Sequence, residues 1–451
     1  MATAAVPADA DFVVGKPASR AYQSDSLPIR VARYLLVFTV MAAPMAFGAV
    51  ETWAWVSLAL IAALLLVLWA AGCVQRGEIA IRTSLLYIPA ALLLLLGIVQ
   101  LAAHTTLDPF QTREALVELA TDLTFFFLAG QLWADASEKA WKRLGLAVAV
   151  YAIAVSLFAI LQFFSSQDLI YWAVQSKNNV FGPYVNHNDY AGLMEMLIPV
   201  GVCYGIWKSR RSSKGMLLLC GVGAAMASVL LSGSRGGVIA VVFEMTFLGI
   251  FLWRRKDIRI SRRGWAMGLL GAAVAAALVL ALTPVSTWRH MAGVEGLASR
   301  PDVTLGNRLA VSRDALAEVR DYPWLGTGMG SFEAVFPQYE TFATDMVWHH
   351  AHDDYVEALT ETGVAGGIII LSALLLFALL AFRNLPARLK GPRGWIQLGA
   401  ALGCCGLLVH SFADFNLHIP ANAAWFAVCS GLSTVPVVAR DSKTTQAGIS
   451  R

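Results

Sequence analysis

Charge is what this sequence has least of. Asp, Glu, Lys and Arg make up 14% of its 451 residues, against about 25% in an ordinary soluble domain. So few charges cannot cover a water-soluble globule, and that class is excluded. Cysteine is sparse too. Cys73, Cys203, Cys220, Cys404, Cys405 and Cys429 all lie in or at the ends of apolar runs, and none falls in an outer polar loop. That pattern argues against structural disulfides and against a cysteine zinc site; adjacent Cys404 and Cys405 read as small helix-packing residues. Also missing is the basic start and early apolar core of a cleavable export signal. Residues 1–33, polar and rich in Ala, Ser and Pro, read as a disordered cytoplasmic tail. A net charge of +4 indicates no nucleic-acid partner, because basic cytoplasmic loops give any multi-span protein this balance.

What is abundant is apolar length. The 57% hydrophobic residues are gathered into blocks, each near the roughly 20 residues that cross a hydrocarbon core. These blocks are 34–50, 53–72, 84–103, 116–133, 144–164, 189–207, 215–232, 238–253, 265–285, 355–382, 395–412 and 420–437. The predicted fold is therefore all-α: a polytopic membrane protein of about twelve transmembrane helices. One integrated domain spans 34–437, followed by a cytoplasmic tail at 438–451. With both termini inside, all but eight of the 34 Lys and Arg residues fall on the cytoplasmic side, as the positive-inside bias requires. The outer eight are Arg113, Lys177, Arg235, Arg289, Arg300, Arg308, Arg313 and Arg320.

Two outer connections are long. One precedes the sixth span and ends FGPYVNHNDYAG; the other, 286–354, joins the ninth and tenth spans and far exceeds the usual connection of about 4 to 6 residues. Within it, TLGNRLAVSRDALAEVR places Leu305, Leu309, Leu316 and Val319 at helical spacing, with Thr304 as cap and Pro323 as stop. An amphipathic helix over the outer face of the bundle is expected. A turn with Gly326, Gly328 and Gly330 follows, where glycine permits an unusual backbone path.

The stretch HHAHDDYVEALTETGVAGG, 349–367, carries the strongest chemical signal. A helix starting near His352 would stand that imidazole at the outer water interface, on one face with Tyr355, Val356 and Leu359, and set Gly363 and Gly367 against a neighbouring helix. His352 can take a proton from a hydroxyl, with Asp353 or Asp354 orienting it. A metal site from His349, His350, His352 and Asp354 is the competing reading, weakened because adjacent residues cannot all face one ion; a plain polar helix start is the third. In SGSRGG, Arg235 sits at an outer span end, and its fixed fork of donors suits phosphate oxygens. Arg308 is a natural companion; for both, a solvated surface charge is the alternative. His187 and Asn188 could line the same cavity, as could His410, Asp414 and His418. Asp122, Glu195 and Glu244 lie within spans, where a structural hydrogen-bonding role is expected of them. Two arginines and a base beside lipid suit a phosphate leaving group and a hydroxyl acceptor, as in a lipid-linked sugar diphosphate.

At these residues the chain resembles the O-antigen ligase and polymerase family of bacterial envelope glycosyltransferases. His352 and Asp353, then nine residues, then GVAG match its His, small polar residue, nine-residue gap, Gly-x-x-Gly pattern, with Asp353 where Asn, Ser or Gln is more usual. SGSRGG, NHNDYAGLMEMLIP and NRLAVSRDALAEVRDYPWLGTGMGSF are similar to its arginine motif, Asn-rich span start and arginine helix with following turn. The resemblance implies inverting transfer of a glycan from undecaprenyl diphosphate to an acceptor hydroxyl on a glycan, lipid A core or protein. The reaction would occur on the periplasmic face of the inner membrane, without metal or other cofactor. Arg235 and Arg308 would hold the diphosphate and His352 would activate the acceptor. A twelve-helix transporter is the alternative, but such folds usually divide six plus six about a cytoplasmic midpoint, whereas here the long loop is extracytoplasmic and displaced to the ninth connection.

Overall fold

The computed structural model describes residues 26–77, 79, 81–166, 169–176, 180–255, 305–342, 347–383, 385 and 389–435. Among them the fold is all-α apart from one antiparallel pair of two-residue strands, Leu169–Ile170 with Val174–Gln175. The helices are α1 (Leu27–Ala42), α2 (Thr52–Gln75), α3 (Tyr87–Ala102), α4 (Pro109–Ala134), α5 (Glu138–Ser165), α6 (His187–Ser209), α7 (Lys214–Ser232) and α8 (Arg235–Arg254). They continue with α9 (Leu305–Asp321), the short α10 (Phe332–Val335), α11 (Asp354–Phe382), α12 (Pro392–His410) and α13 (Pro420–Thr434). Eight are long and apolar enough to cross a membrane, and every expected span within the described residues is helical. The expected ninth span at 265–285, residues 286–304 of the long loop, most of the N-terminal tail and the 438–451 tail lie outside the described residues. Helix α1 begins at Leu27, inside the segment expected to be a tail up to residue 33.

Helix α6 forms the core. Every residue from 188 to 201 is buried, and α12 lies against it at backbone distance because glycines face the contact. A Cβ on Gly403 would stand 2.7 Å from Met196 Cα, and one on Gly399 2.5 Å from Val200 Cα. Small residues bring helices this close where lipid supplies no hydrophobic drive between them. Large aliphatic side chains on the outer helices, such as Leu60, Leu64, Ile368 and Leu375, are exposed, as lipid-facing surfaces require. At one end of the bundle, basic groups stack on tryptophans: Arg33 over Trp133 at 5.5 Å, Arg393 over Trp141 at 5.4 Å and Arg211 over Trp207 at 4.7 Å. All three arginines belong to the set expected on the cytoplasmic side, and interfacial aromatic belts favour such stacking. The residues expected to carry chemistry gather at the opposite end.

There, α11 departs from the expected form. His352 is not on the helix; it precedes it with φ 54°, a left-handed conformation, and the helix starts at Asp354 behind the Asp353 cap. Gly363 breaks α11 at φ 61°, ψ −165°. The break serves a turn rather than a neighbouring helix: Val364 and Ala365 donate to the carbonyls of Pro323 and Trp324 at 2.8 and 3.2 Å, while Thr327 and Gly328 donate to those of Thr360 and Glu361 at 3.0 and 3.1 Å. Gln100 on α3 closes the junction, donating to Leu325 and Glu361 carbonyls at 2.6 and 2.8 Å. Backbone groups freed by breaking a helix must find partners, and the glycine-rich turn supplies them. Its own path is as expected, with Gly326, Gly328 and Gly330 at φ 72°, 116° and 74°. Among the described residues, a Cβ on Gly367 would meet only Leu359 of its own helix.

The α9 register also differs from expectation. Val311, Ala315 and Glu318 are its buried face, while Leu309 and Leu316 are exposed. Val311 and Ala315 pack on Phe332, Phe336, Trp348 and Ala351, so a local cluster of loop aromatics, not the helix's own leucine spacing, decides which face is covered. Substituting Gly363→Ala puts a Cβ 2.6 Å from Trp324 C at a positive φ and is expected to cost about 1–3 kcal/mol. The check is the thermal unfolding midpoint in detergent, and an unchanged midpoint would contradict the docked-turn geometry.

Candidate functional site

Three segments far apart in sequence meet at the carboxylate of Asp414, in the turn between α12 and α13. Asp414 is 1% exposed. His352 Nδ1 lies 3.3 Å from Asp414 Oδ1, and Arg308 Nη1 lies 3.5 Å from Oδ2 while donating to the Ala413 carbonyl. Phe415 N donates to Oδ1 at 3.0 Å. Burial alone would raise the Asp414 pKa. The His352 hydrogen bond and the Arg308 charge outweigh it and hold the group below the ordinary carboxylate range, so Asp414 is an anion. With Nδ1–H donating to it, His352 has Nε2 left as the basic nitrogen. Burial is the largest influence on His352 and lowers its pKa, against the Asp414 contact, which raises it; the ring is thus a neutral base at neutral pH. The left-handed φ of a residue with a full side chain costs about 1–3 kcal/mol and is a recurrent mark of functional positions.

Arg308 turns one edge to Asp414 and Ala413. Its buried Nε has no hydrogen-bond partner among the described residues. Arg235 reaches the same end of the bundle. SGSRGG spends its residues on a tight reversal: Gly233 ends α7 at φ 78°, Ser234 caps α8 by accepting from Gly237 N at 3.1 Å, and Arg235 becomes the first residue of α8, exposed. A Cβ on Gly236 would run into the His410 ring, so the helix start is pressed against the end of α12, four residues before Asp414.

The carboxylate that orients His352 is therefore Asp414, rather than the expected Asp353 or Asp354. Asp353 is a helix cap, accepting from Tyr355 N at 3.0 Å and Val356 N at 3.1 Å. Asp354 pairs with His418 Nδ1 at 2.9 Å. His187 is the first residue of α6 and Asn188 is buried behind the Asn186 cap; the α6 start meets the α12–α13 turn through Asn422, which donates to the Asp189 carbonyl at 2.9 Å. Below, His410 Nδ1 is 2.8 Å from Glu195 Oε1 and 3.3 Å from Asn416 Nδ2, giving Glu195 the hydrogen-bonding role expected of it. Glu244 is fully buried with no hydrogen-bond partner among the described residues.

The histidines weighed as one metal set are dispersed. His349 pairs with exposed Glu333 at 3.0 Å and His352 with Asp414, whereas His350 lies 2.8 Å from Glu357 Oε1. His418 sits between Asp354 and Glu357. Burial acts to lower its pKa, but the Glu357 charge and the Asp354 hydrogen bond raise it to about 10. Asp414, Phe415, Asn416 and Asn422 are the contributors that sequence reasoning undervalued; their one signal is a polar turn, SFADFNLHIPAN, between two apolar runs.

These features define a multi-pass membrane protein with a histidine and an arginine held on one buried carboxylate at one end of its bundle. A family model described as O-antigen ligase matches residues 215–371, a stretch that holds Arg235, Arg308, His352 and Gly363, and it bears out the resemblance to the O-antigen ligase and polymerase family. No curated protein matches the chain. If Asp414 joins its neighbours energetically, the unfolding free energies of Arg308→Ala, Asp414→Ala and the double variant are non-additive by about 0.5–3 kcal/mol. Additivity within about 0.3 kcal/mol in chemical denaturation would contradict the pairing.

Proposed function

We propose that the chain is a glycosyltransferase that moves a glycan from undecaprenyl diphosphate to an acceptor hydroxyl at the periplasmic face of the bacterial inner membrane. The reading is supported above all by the convergence of Arg308 and His352 on one buried carboxylate; the arginine and the histidine both lie in the segment that resembles O-antigen ligases. His352 Nε2 takes the proton of the acceptor hydroxyl as its oxygen bonds to the anomeric carbon. The bond from that carbon to the diphosphate oxygen breaks, and the polyprenyl diphosphate leaves as an anion neutralised by Arg235 and Arg308. A diphosphate is already a good leaving group, so the demand is for charge stabilisation on one side and a base on the other. Attack opposite the leaving group inverts the anomeric centre, and no metal is needed at the reacting atoms. Asp414 keeps the proton on His352 Nδ1 and the base on Nε2, with Asp353 and Asp354 fixing the helix start behind it and His187 and Asn188 lining the approach. Residues 34–437 act as one catalytic domain, with both termini cytoplasmic.

The experiment is transfer from a purified lipid-linked donor. His352→Ala is expected to lower the rate by about 10²–10⁴, and Arg235→Ala or Arg308→Ala by about 10²–10³. Full activity in the His352 and Arg235 variants removes the assignment. Product length separates the acceptor classes: one preformed block moved intact marks a ligase, and a growing ladder marks a polymerase.

A further inference from the structure

Beside the His352 site, and joined to it by the Phe415 ring, lies a second cluster that the transfer chemistry does not use. Phe415 stacks on His350 at 4.5 Å and meets His352 edge-on at 4.8 Å. Behind it, His350, Glu357 and His418 present ligand atoms that all lie within 4.8 Å of one another. We propose that these three side chains bind one divalent transition-metal ion of the zinc class, with the fourth position open to water.

The geometry fits such an ion. Ligand atoms about 2.0–2.1 Å from a tetrahedral zinc stand about 3.3 Å apart; Glu357 Oε1 is 2.8 Å from His350 Nδ1 and 3.3 Å from His418 Nε2. Two imidazoles and a carboxylate form a donor set suited to borderline metals rather than to calcium or magnesium. The outer partners are in place too. Asp354 Oδ1 meets His418 Nδ1 at 2.9 Å, the carboxylate–histidine–metal arrangement that fixes a ligating ring with its other nitrogen toward the ion. Glu357 Oε2 accepts from Ala351 N at 2.8 Å, which leaves Oε1 for the ion.

A second, independent observation is Glu318 on α9. It is 0% exposed, neither of its oxygens has a hydrogen-bond partner among the described residues, and its helix packs against α11, which carries Glu357. A buried carboxylate without a partner is costly as an anion, and a dication bound beside it would offset that cost. Both histidines are partly open to solvent, which gives the ion an entry path, while Glu357 is closed off. By clamping His350 and Glu357 to the turn carrying His418, the ion would tie the start of α11 to the segment that carries Asp414. The ion is a brace on the neighbouring site, and its binding does not depend on the glycosyl-transfer reading.

The test is isothermal titration of the full-length protein, purified without a polyhistidine tag, with Zn²⁺ alone, and metal analysis after desalting. Wild type is expected to bind one zinc per chain. His350→Gln and His418→Gln should lose that binding, and Asp354→Asn should weaken it by about 10- to 100-fold. Because a variant can misfold, Co²⁺ loading of the wild type is the second measurement: intense visible bands of a four-coordinate site support the proposal. No saturable zinc binding in the wild type, unchanged zinc affinity in both histidine variants, or only weak six-coordinate cobalt bands would each overturn it.

Discussion

A buried anion is the constraint around which this end of the molecule is arranged. Asp414 stands in a turn between two helices, out of water, and a carboxylate in that position is tolerated only with charge and hydrogen-bond partners. It has both: the His352 ring from the segment before α11 and the Arg308 guanidinium from α9. The same two contacts that stabilise the anion hold an imidazole and a guanidinium in fixed relation, so the condition for burying Asp414 is also the condition for the arrangement that the proposed transfer requires. His352 accepts a left-handed backbone to meet it. Strain of that kind persists where the surroundings over-determine the conformation, and the Asp353 cap immediately after His352 provides such surroundings.

The platform beneath is rigid for reasons that belong to membranes. Glycines on α12 let it close on α6, and the His410–Glu195 pair and the Asn416–Asn422 bond at 3.1 Å add polar links there and in the turn that follows. The break in α11 at Gly363 links this platform to the loop that carries Arg308. The turn after α9 hydrogen-bonds into the break, so the position of the arginine helix is set by α11 and not by the length of the connection before it.

Much of this was legible in the sequence, and the remainder divides along a physical line. Local rules held: apolar block length gave the helices, and three glycines gave the turn after α9. Contacts between distant segments were not legible. The spacing from His352 to Gly363 reads equally well as a helix face with a packing glycine or as a capped start followed by a break, and only the docked turn distinguishes them. Asp353 and Asp354 are nearest to His352 in sequence, yet backbone geometry commits one to a cap and the other to His418, leaving Asp414, some sixty residues on, to orient the ring. The leucine spacing of α9 failed for a similar reason, since aromatics from the following loop select Val311 and Ala315 as its covered face.

The central claim, that Asp414 holds His352 and Arg308 as one unit facing a diphosphate, is tested most directly by a cryo-electron microscopy structure of the protein with a non-hydrolysable polyprenyl diphosphate sugar. The account predicts the diphosphate within hydrogen-bond distance of Arg308 and Arg235, with Asp414 still on His352 Nδ1 and Nε2 open to the acceptor side of the sugar. A diphosphate bound away from both arginines, or a His352 ring turned from Asp414 in the bound state, would contradict it.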